Sequence, residues 1–386
     1  MSRLKHVAAH PLSQRVLRSG FARRVTTQLV AAQRAPEDVT TPFAAVAELE
    51  RRGAAPLVAR AVGDVLDIAF VVPGFRRGSG GHTTIANLIR GLEARGHGCS
   101  VWIDDPLRTS GGAAAFRAFF GPFKAPVHDD LTHWRGAGIA LATGWQTVAT
   151  TLLLSDCGAR AHLVQDDEPE FYPASAERLW AEQAFQLPTI TAGAWLAERM
   201  RERGLAATPF DLGIQHGTYR DQGRTRVPGR VLFYARAATP RRAVPLGLLA
   251  LAEVTRRRGV EVLLFGDAKP LDTPFANLGI LTEAEVADAY ATASVGVVLS
   301  LTNHSLAAQE MAACGLPAVE LDTPSTRAAF GDSPIVLAPA TVLGLADAVE
   351  RQLDQPRVDV AWARRRTWEH AAAAVEAGLR AAAGAG

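Results

Sequence analysis

Short apolar runs alternate with longer segments whose apolar residues recur at helical spacing. In the first half of the chain this pattern predicts helices at 82–95 and 194–203, and Ile85, Leu88, Ile89 and Leu92 share one face of the first. The apolar runs predict strands at 68–72, 99–103, 139–143, 161–164, 189–192 and 210–214. Runs this short and this poor in charge are typical of buried parallel strands.

The same alternation restarts after a polar hinge at 215–229 that is rich in Gly and Arg. Strands are predicted at 231–234, 262–265, 293–300 and 317–321, and helices at 245–257, at 283–293, after His304 and at 358–383. Two such series predict an α/β protein with two doubly wound Rossmann-like domains facing a cleft.

The length of 386 residues also favours two domains, because it exceeds what one hydrophobic core normally supports. We predict a helical N-terminal extension at 1–64 and a Rossmann-like acceptor domain at 65–220. A Rossmann-like nucleotide-sugar domain follows at 221–357, and a C-terminal helix at 358–386. Trp362 and Trp368 are the residues expected to anchor this helix.

Charge and cysteine content narrow the function classes. A net charge of +2 argues against a nucleic-acid surface, which needs a concentrated basic excess. Cys99, Cys157 and Cys314 are widely separated and lie in strand or helix contexts, which indicates buried residues in a reducing, cytoplasmic compartment. No apolar run approaches the length that spans a bilayer.

The first 36 residues contain basic but no acidic side chains, and Leu12, Val16, Leu17, Phe21, Val25 and Leu29 recur at helical spacing. Such a helix is expected either to lie on the inner face of an anionic membrane as a peripheral contact or to pack on the protein or a second subunit. The sequence leaves the oligomeric state undetermined.

Two loops carry candidate chemistry. The run from Gln165 to Tyr172 places Asp166, Asp167 and Glu168 after the strand at 161–164, at the sheet edge where α/β proteins bind ligands. These carboxylates are expected to accept hydrogen bonds from sugar hydroxyls, to hold magnesium or calcium, or to form a solvated acidic loop. The Gly-rich loop before the helix at 82–95 contains Gly80 and Gly81.

The segment from Asn303 to Pro317 forms a second candidate site. A loop and a helix follow the strand at 293–300, so the amides of Ser305, Leu306 and Ala307 are expected to face a diphosphate. Glu310, further along the helix, would reach a hydroxyl of the attached sugar. The alternative is an ordinary α/β unit with a solvated glutamate.

The eight residues from Glu310 to Pro317 resemble the nucleotide-sugar motif of the retaining, family 4 glycosyltransferases with the GT-B fold. Thr302 stands where that family usually carries a second glutamate, and Arg236 and Arg241 match its diphosphate-binding Arg and Lys. A Thr-Asn-x-Ser loop and an Arg-x-x-x-Pro-Arg-Arg run are most similar to the WsaF-like rhamnosyltransferases. The resemblance covers about residues 65–355.

This resemblance implies retaining transfer of a sugar, rhamnose or another deoxyhexose, from a dTDP- or UDP-linked donor to a glycan or lipid-linked acceptor. It implies that no metal or other cofactor takes part and that the C-terminal helix crosses back to the first domain. The residues it assigns to diphosphate stabilisation and substrate orientation are Arg236, Arg241, Asp166 and Asp167. Those assigned to the nucleotide sugar are Gly80, Gly81, Gly266, Asn303, His304, Ser305, Leu306, Ala307 and Glu310, with Glu310 on the ribose.

Two alternatives stay open on the sequence. Nucleotide-sugar epimerases use the same two domains without an acceptor, and the change at Thr302 is compatible with an altered homologue that only binds sugar nucleotides. A nicotinamide dehydrogenase is disfavoured, because no Gly-x-Gly-x-x-Gly follows the first strand. The donor base, donor sugar, acceptor and linkage are not determined.

Overall fold

The computed structural model describes residues 39–60 and 63–384, so the predicted helix within residues 1–36 lies outside the described residues. The chain divides into two compact units, Met1–Ala44 and Ala45–Gly386. In the first unit a 3-10 helix spans Thr41–Phe43. Helix α1 spans Ala44–Arg52, and the second unit contains both sheets.

The first sheet has seven parallel strands in the order β3-β2-β1-β4-β5-β6-β7. The strands are β1 Asp67–Pro73, β2 Gly98–Asp104, β3 Val127–His128, β4 Ala137–Ala142, β5 Cys157–Val164, β6 Thr189–Ala192 and β7 Ala207–Phe210. The helices are α2 Gly80–Ala94, α3 Gly112–Phe120, α4 Trp145–Leu153, α5 Ala176–Gln183 and α6 Ala194–Glu202. Apolar residues on both faces of the central strands are buried, as the charge-free runs predicted.

The second sheet has six parallel strands in the order β10-β9-β8-β11-β12-β13. The strands are β8 Arg230–Tyr234, β9 Glu261–Phe265, β10 Ala276–Asn277, β11 Val295–Val297, β12 Ala318–Leu321 and β13 Val336–Ala338. The helices are α7 Val244–Arg258, α8 Glu283–Thr292, α9 Leu306–Ala313, α10 Pro324–Phe330 and α11 Val342–Leu353. The strand order reverses between β8 and β11 here, and between β1 and β4 in the first sheet, which creates a crevice at each carboxyl edge.

The C-terminal segment returns to the first domain, as the resemblance implied. It forms two helices, α12 Ala361–Arg364 and α13 Trp368–Gly384, so the single helix expected at 358–383 is wrong. The break falls at 365–367, where the Arg366 carbonyl accepts the Ile214 N–H at 3.0 Å instead of a helical partner. Trp362 is buried in the second domain, and Trp368 packs on the core of the first.

The last strand of the first sheet is also displaced from the expected 210–214. Strand β7 ends at Phe210, and Gly213 approaches the C-terminal segment so closely that a Cβ there would lie 2.5 Å from the Trp368 nitrogen. The strand contains Pro209, which is tolerated because β7 is an edge strand with one unpaired side.

All three cysteines are buried and free, as predicted. Among the described residues, no helix combines the length and the apolar character needed to cross a bilayer.

Candidate active site at the interdomain cleft

The loop after β8 places three arginines at the switch point of the second sheet. Arg236 Nη1 donates a hydrogen bond to the Gly78 carbonyl of the first domain at 3.0 Å. Arg241 Nε lies 3.2 Å from Asp166 Oδ2, and its guanidinium carbon lies 3.9 Å above the Phe171 ring. Burial lowers the pKa of Arg241. The charge of Asp166 raises this pKa, and the charges of Arg242 and Arg236 lower it further. The predicted pair, Arg236 and Arg241, therefore lies with Arg242 at the interface of the two domains.

Asp166 links the acidic run to the second domain. Its Oδ1 accepts the Asn303 N–H at 2.9 Å and the Asp167 N–H at 3.0 Å, which leaves Oδ2 facing Arg241. The structure thus brings together two residues, Asp166 and Arg241, that the sequence assigned to one site from opposite domains.

Asp167 lies in a different environment and corrects the sequence-based assignment. Its two oxygens lie 3.1 Å from Arg199 Nη2 and 3.1 Å from Arg203 Nη2, and its side chain is only 2% exposed. Both oxygens are occupied by these arginines, so the geometry gives Asp167 a structural ion pair and not a substrate contact.

Glu168 was predicted as part of the acidic run but was not assigned a role of its own. Its Oε2 accepts the Trp145 N–H at 2.6 Å, at the N-terminus of α4. Burial raises the pKa of Glu168 to about 8, and the Trp145 hydrogen bond opposes the shift. At neutral pH this carboxyl is therefore mostly protonated. Its position in an acidic run was visible in the sequence, but the run alone does not distinguish it from its neighbours.

Asn303 links the two domains, and His304 lies beside it with Nδ1 3.1 Å from Asn303 Oδ1. The Asn303 Nδ2 donates to the carbonyls of Gln165 and Ala192, both at 2.9 Å, and its Oδ1 accepts from Ser325 Oγ at 2.7 Å. His304 is buried, and burial followed by the charges of Arg366 and Arg242 lowers its pKa to about 3. The side chain of Asn303 is therefore engaged in an interdomain contact, and not free for the nucleotide sugar as expected, while the assignment of His304 to the donor site stays a prediction.

The N-terminus of α9 keeps part of the predicted diphosphate site. Ser305 caps the helix by accepting the Ala307 N–H at 3.3 Å, so the Ala307 amide is already engaged, contrary to expectation. Within the described residues the N–H groups of Ser305 and Leu306 have no hydrogen-bond acceptor. The hydroxyl of Thr302 is buried and also lacks a partner there.

Glu310 lies on α9 beside two tyrosines. Its side chain is half-buried and makes no hydrogen bond to any residue that the structure describes. Burial, reinforced by Glu283, raises the pKa of Glu310 to about 8. Burial and then the charge of Glu310 raise the pKa of both Tyr219 and Tyr290. An unpartnered carboxyl in this position can exchange hydrogen bonds with hydroxyls of a ligand.

The predicted glycines have different roles. Gly80 and Gly81 are the first two residues of α2, not loop residues, and a Cβ on Gly81 would lie 3.5 Å from Gln165 Nε2. Gly266 has a φ of +104°, and a Cβ there would lie 2.6 Å from the Tyr234 ring. Gly266 is therefore required by the turn after β9 and by its contact with Tyr234.

The acidic run was also a candidate metal site. In the part of the chain that the structure describes, no group of His, Cys, Asp and Glu side chains has the arrangement of a metal site. The carboxylates of Asp166, Asp167 and Glu168 are held instead by arginines and backbone amides.

Comparison with known proteins gives the same architecture. The structure is similar to that of Anabaena Alr3699/HepE in complex with UDP and glucose, with a TM-score of 0.56 and 13% identity over 82% of this chain and 95% of that one. It is similar to AviGT4, a glycosyltransferase involved in avilamycin A biosynthesis, with a TM-score of 0.53 and 15% identity over 83% and 99% of the two chains. The fold and the cleft define a protein of the GT-B glycosyltransferase fold.

Within this fold, part of the chain resembles the WsaF family. Residues 229–350 match the family described as the WsaF C-terminal domain. The chain is also 30% identical over 312 residues to the O-antigen biosynthesis protein RfbC of Myxococcus xanthus. This aligned region covers 74% of the chain. The chain spans about a quarter of the length of that relative, 24%.

Proposed function

We propose that the chain is a glycosyltransferase that moves a sugar from a UDP- or dTDP-linked donor to a glycan or lipid-linked acceptor in polysaccharide biosynthesis. The observation that carries the proposal is the convergence of Arg236, Arg241 and the N-terminus of α9 at the switch point of the second sheet. Doubly wound sheets bind their ligands at this crevice. The WsaF-type family match and the O-antigen relative support the same class.

The arrangement suits departure of a diphosphate. Cleavage of the bond between sugar and diphosphate leaves negative charge on the phosphate oxygens, so stabilising that charge is the main demand on the protein. Guanidinium groups fork onto such oxygens, and the free amides of Ser305 and Leu306 add the positive end of the α9 dipole. Glu310 is available for the ribose hydroxyls because it has no partner among the described residues.

The donor sugar and the stereochemistry form the finer part of the proposal. Thr302 stands at the position of the glutamate that binds donor hydroxyls in the family that the chain resembles. Its hydroxyl is buried and has no hydrogen-bond partner among the described residues. A single hydroxyl in place of a carboxylate suits a deoxy sugar such as rhamnose. We expect transfer with retention and without a covalent sugar-enzyme adduct, since the departing phosphate can take the proton of the attacking hydroxyl.

A donor panel tests this proposal. The full chain is incubated with UDP- and dTDP-linked sugars, with and without glycan acceptors, and released nucleoside diphosphate is quantified. We expect slow hydrolysis of one donor and acceptor-dependent release of the same diphosphate, with NMR showing an unchanged anomeric configuration.

The other outcomes separate the alternatives. Interconversion of free nucleotide sugars without acceptor would identify an epimerase. Binding of a donor with neither hydrolysis nor transfer would identify a binding homologue, and either result would refute the proposed transfer. The surface variant Arg256→Ala, whose guanidinium is exposed and paired with Glu253, serves as the charge-loss control.

A further inference from the structure

A carboxylate is completely buried in the second sheet beneath the proposed diphosphate site. Glu320 lies on β12 with 0% of its surface exposed. Its Oε1 accepts the N–H groups of Ser300 at 2.7 Å and Leu321 at 2.8 Å, and its Oε2 accepts the Ser300 hydroxyl at 2.9 Å. A buried carboxyl is costly to keep, so its hydrogen bonds indicate a requirement beyond filling the core.

The Ser300 hydroxyl connects this carboxylate to the cleft. Arg242 Nη1 donates to Ser300 Oγ at 2.6 Å. Because a guanidinium can only donate, the hydroxyl accepts from Arg242 and uses its own proton for Glu320. The three side chains therefore form a directed chain of hydrogen bonds from the protein interior to Arg242.

The chain of bonds follows the strand order. Arg242 follows β8, Ser300 follows β11, and Glu320 belongs to β12. These three strands are neighbours in the sheet, and the switch point lies between β8 and β11. The Arg242 charge contributes to lowering the pKa of Arg241, and its guanidinium carbon lies 5.9 Å from the centre of the Tyr234 ring. Arg242 thus belongs to the same cationic cluster as Arg236 and Arg241.

Most donors of Arg242 are unused. Its bond to Ser300 is the one side-chain hydrogen bond that it makes to the described residues, and the side chain is half-buried. None of its nitrogens is among the buried side-chain atoms that lack a partner in the described residues, so its remaining N–H groups are accessible to solvent or to a ligand. One fixed edge and several unused donors are the arrangement that suits an anion in the cleft.

We propose that Arg242 is a third diphosphate-binding cation and that Ser300 and Glu320 are positioning residues that fix its guanidinium. The inference rests on the proposed function, because it takes the diphosphate of the donor as the ligand. A guanidinium that is already fixed loses less conformational freedom when phosphate binds. Ser300 and Glu320 therefore contribute to affinity without touching the ligand.

Calorimetry on the full chain with pyrophosphate, UDP and dTDP tests the assignment. Arg242→Ala should weaken binding of all three by about tenfold or more, as expected for loss of a charged hydrogen-bond donor. Ser300→Ala removes the link while leaving Glu320 its two backbone donors, and should weaken binding by about threefold to tenfold. Ser300→Thr should restore affinity, and Arg256→Ala should match the unaltered protein.

A double-mutant cycle distinguishes positioning from general damage. If Ser300 and Glu320 act through Arg242, then Ser300→Ala and Glu320→Gln should cause no further loss of pyrophosphate affinity once Arg242 is alanine. Affinity for uridine and thymidine, which lack phosphate, should not change in any of these variants.

Unchanged pyrophosphate affinity in Arg242→Ala would overturn the inference, as would an equal effect of Ser300→Ala with and without Arg242. If Arg236→Ala and Arg241→Ala weaken pyrophosphate binding and lose transfer while Arg242→Ala leaves pyrophosphate binding unchanged, the inference fails and the proposed function stands. If pyrophosphate binding depends on Arg242 but no donor is consumed, the proposed function fails instead. Absence of any pyrophosphate, UDP or dTDP binding by the unaltered chain would overturn both.

Discussion

Replacing Asp166 with asparagine isolates the ion pair that crosses the cleft. The amide keeps Oδ1, which accepts the backbone N–H groups of Asn303 and Asp167. The change places an NH2 group where Oδ2 faces Arg241, so the charge attraction is lost and two donors face each other. The interdomain backbone contacts are retained, which makes Asp166→Asn a narrow perturbation.

The magnitude follows from the geometry of the pair. At 3.2 Å, two unit charges attract by about 5 kcal/mol at an effective dielectric constant near 20. The side chains of Arg241 and Asp166 are 29% and 11% exposed, so desolvation and screening reduce this to a net value of about 1–2 kcal/mol. If the diphosphate binds Arg241 only after the ion pair with Asp166 is broken, the free energy of that ion pair opposes diphosphate binding.

We therefore expect Asp166→Asn to bind UDP or dTDP about 5- to 30-fold more tightly than the unaltered protein, while its turnover falls. Calorimetry measures the affinity, and the donor-release assay measures turnover. Asp347→Asn on α11, which removes an exposed charge paired with Arg257 on α7, is the matched control and should change neither. Equal or weaker nucleotide affinity in Asp166→Asn would show that the ligand does not compete for Arg241, and this reasoning would be refuted.

Four further outcomes are expected. Arg236→Ala and Arg241→Ala should each abolish transfer and weaken nucleoside diphosphate binding by about 2–4 kcal/mol, and unchanged calorimetric titrations in both would contradict the phosphate role. Transfer should survive EDTA, and loss of turnover that magnesium restores would reassign the acidic run as a metal site. Asp167→Asn should lower the free energy of unfolding by about 2–4 kcal/mol in urea titrations, because Asp167 is buried between two arginines. Mass spectrometry should detect no trapped sugar adduct in Asp167→Asn or in Asp166→Asn. The pKa of Glu310 is raised from 4.5 to about 8, so its contribution to the free energy of unfolding is fully present below about pH 4.5 and is lost as the pH rises toward 8. Glu310→Gln should therefore flatten the decrease of stability with pH in this range, and an unchanged slope would count against the burial of this carboxyl.

The repeating pattern of the sequence determined most of the secondary structure. Strand β6 occupies the predicted residues, and the helices α7 and α8 begin within a residue of their predicted starts. Apolar periodicity is a local property of the chain and was sufficient for these elements because both sheets are parallel and buried. Arg236 and Arg241 were assigned to the site from the family resemblance, which was possible because both lie in one loop of the second domain.

Tertiary contacts decided the elements for which the local pattern was ambiguous. Strand β7 includes Pro209 and ends at Phe210, because the edge of the sheet tolerates proline and the chain beyond must approach Trp368. The C-terminal helix breaks because the Arg366 carbonyl bonds to the distant Ile214. Neither partner could be identified from sequence spacing.

The site shows the same division between local and distant information. Asp166 and Asp167 are adjacent in the sequence and were assigned one role, yet one faces Arg241 across the cleft and the other faces Arg199 and Arg203. Neighbouring residues in a nonhelical segment can direct their side chains to different sides, so their partners depend on what packs there. Composition and spacing therefore determined that carboxylates and arginines lie at the strand ends. Only tertiary packing, within the first domain for Asp167 and between the domains for Asp166, determined which carboxylate meets which arginine.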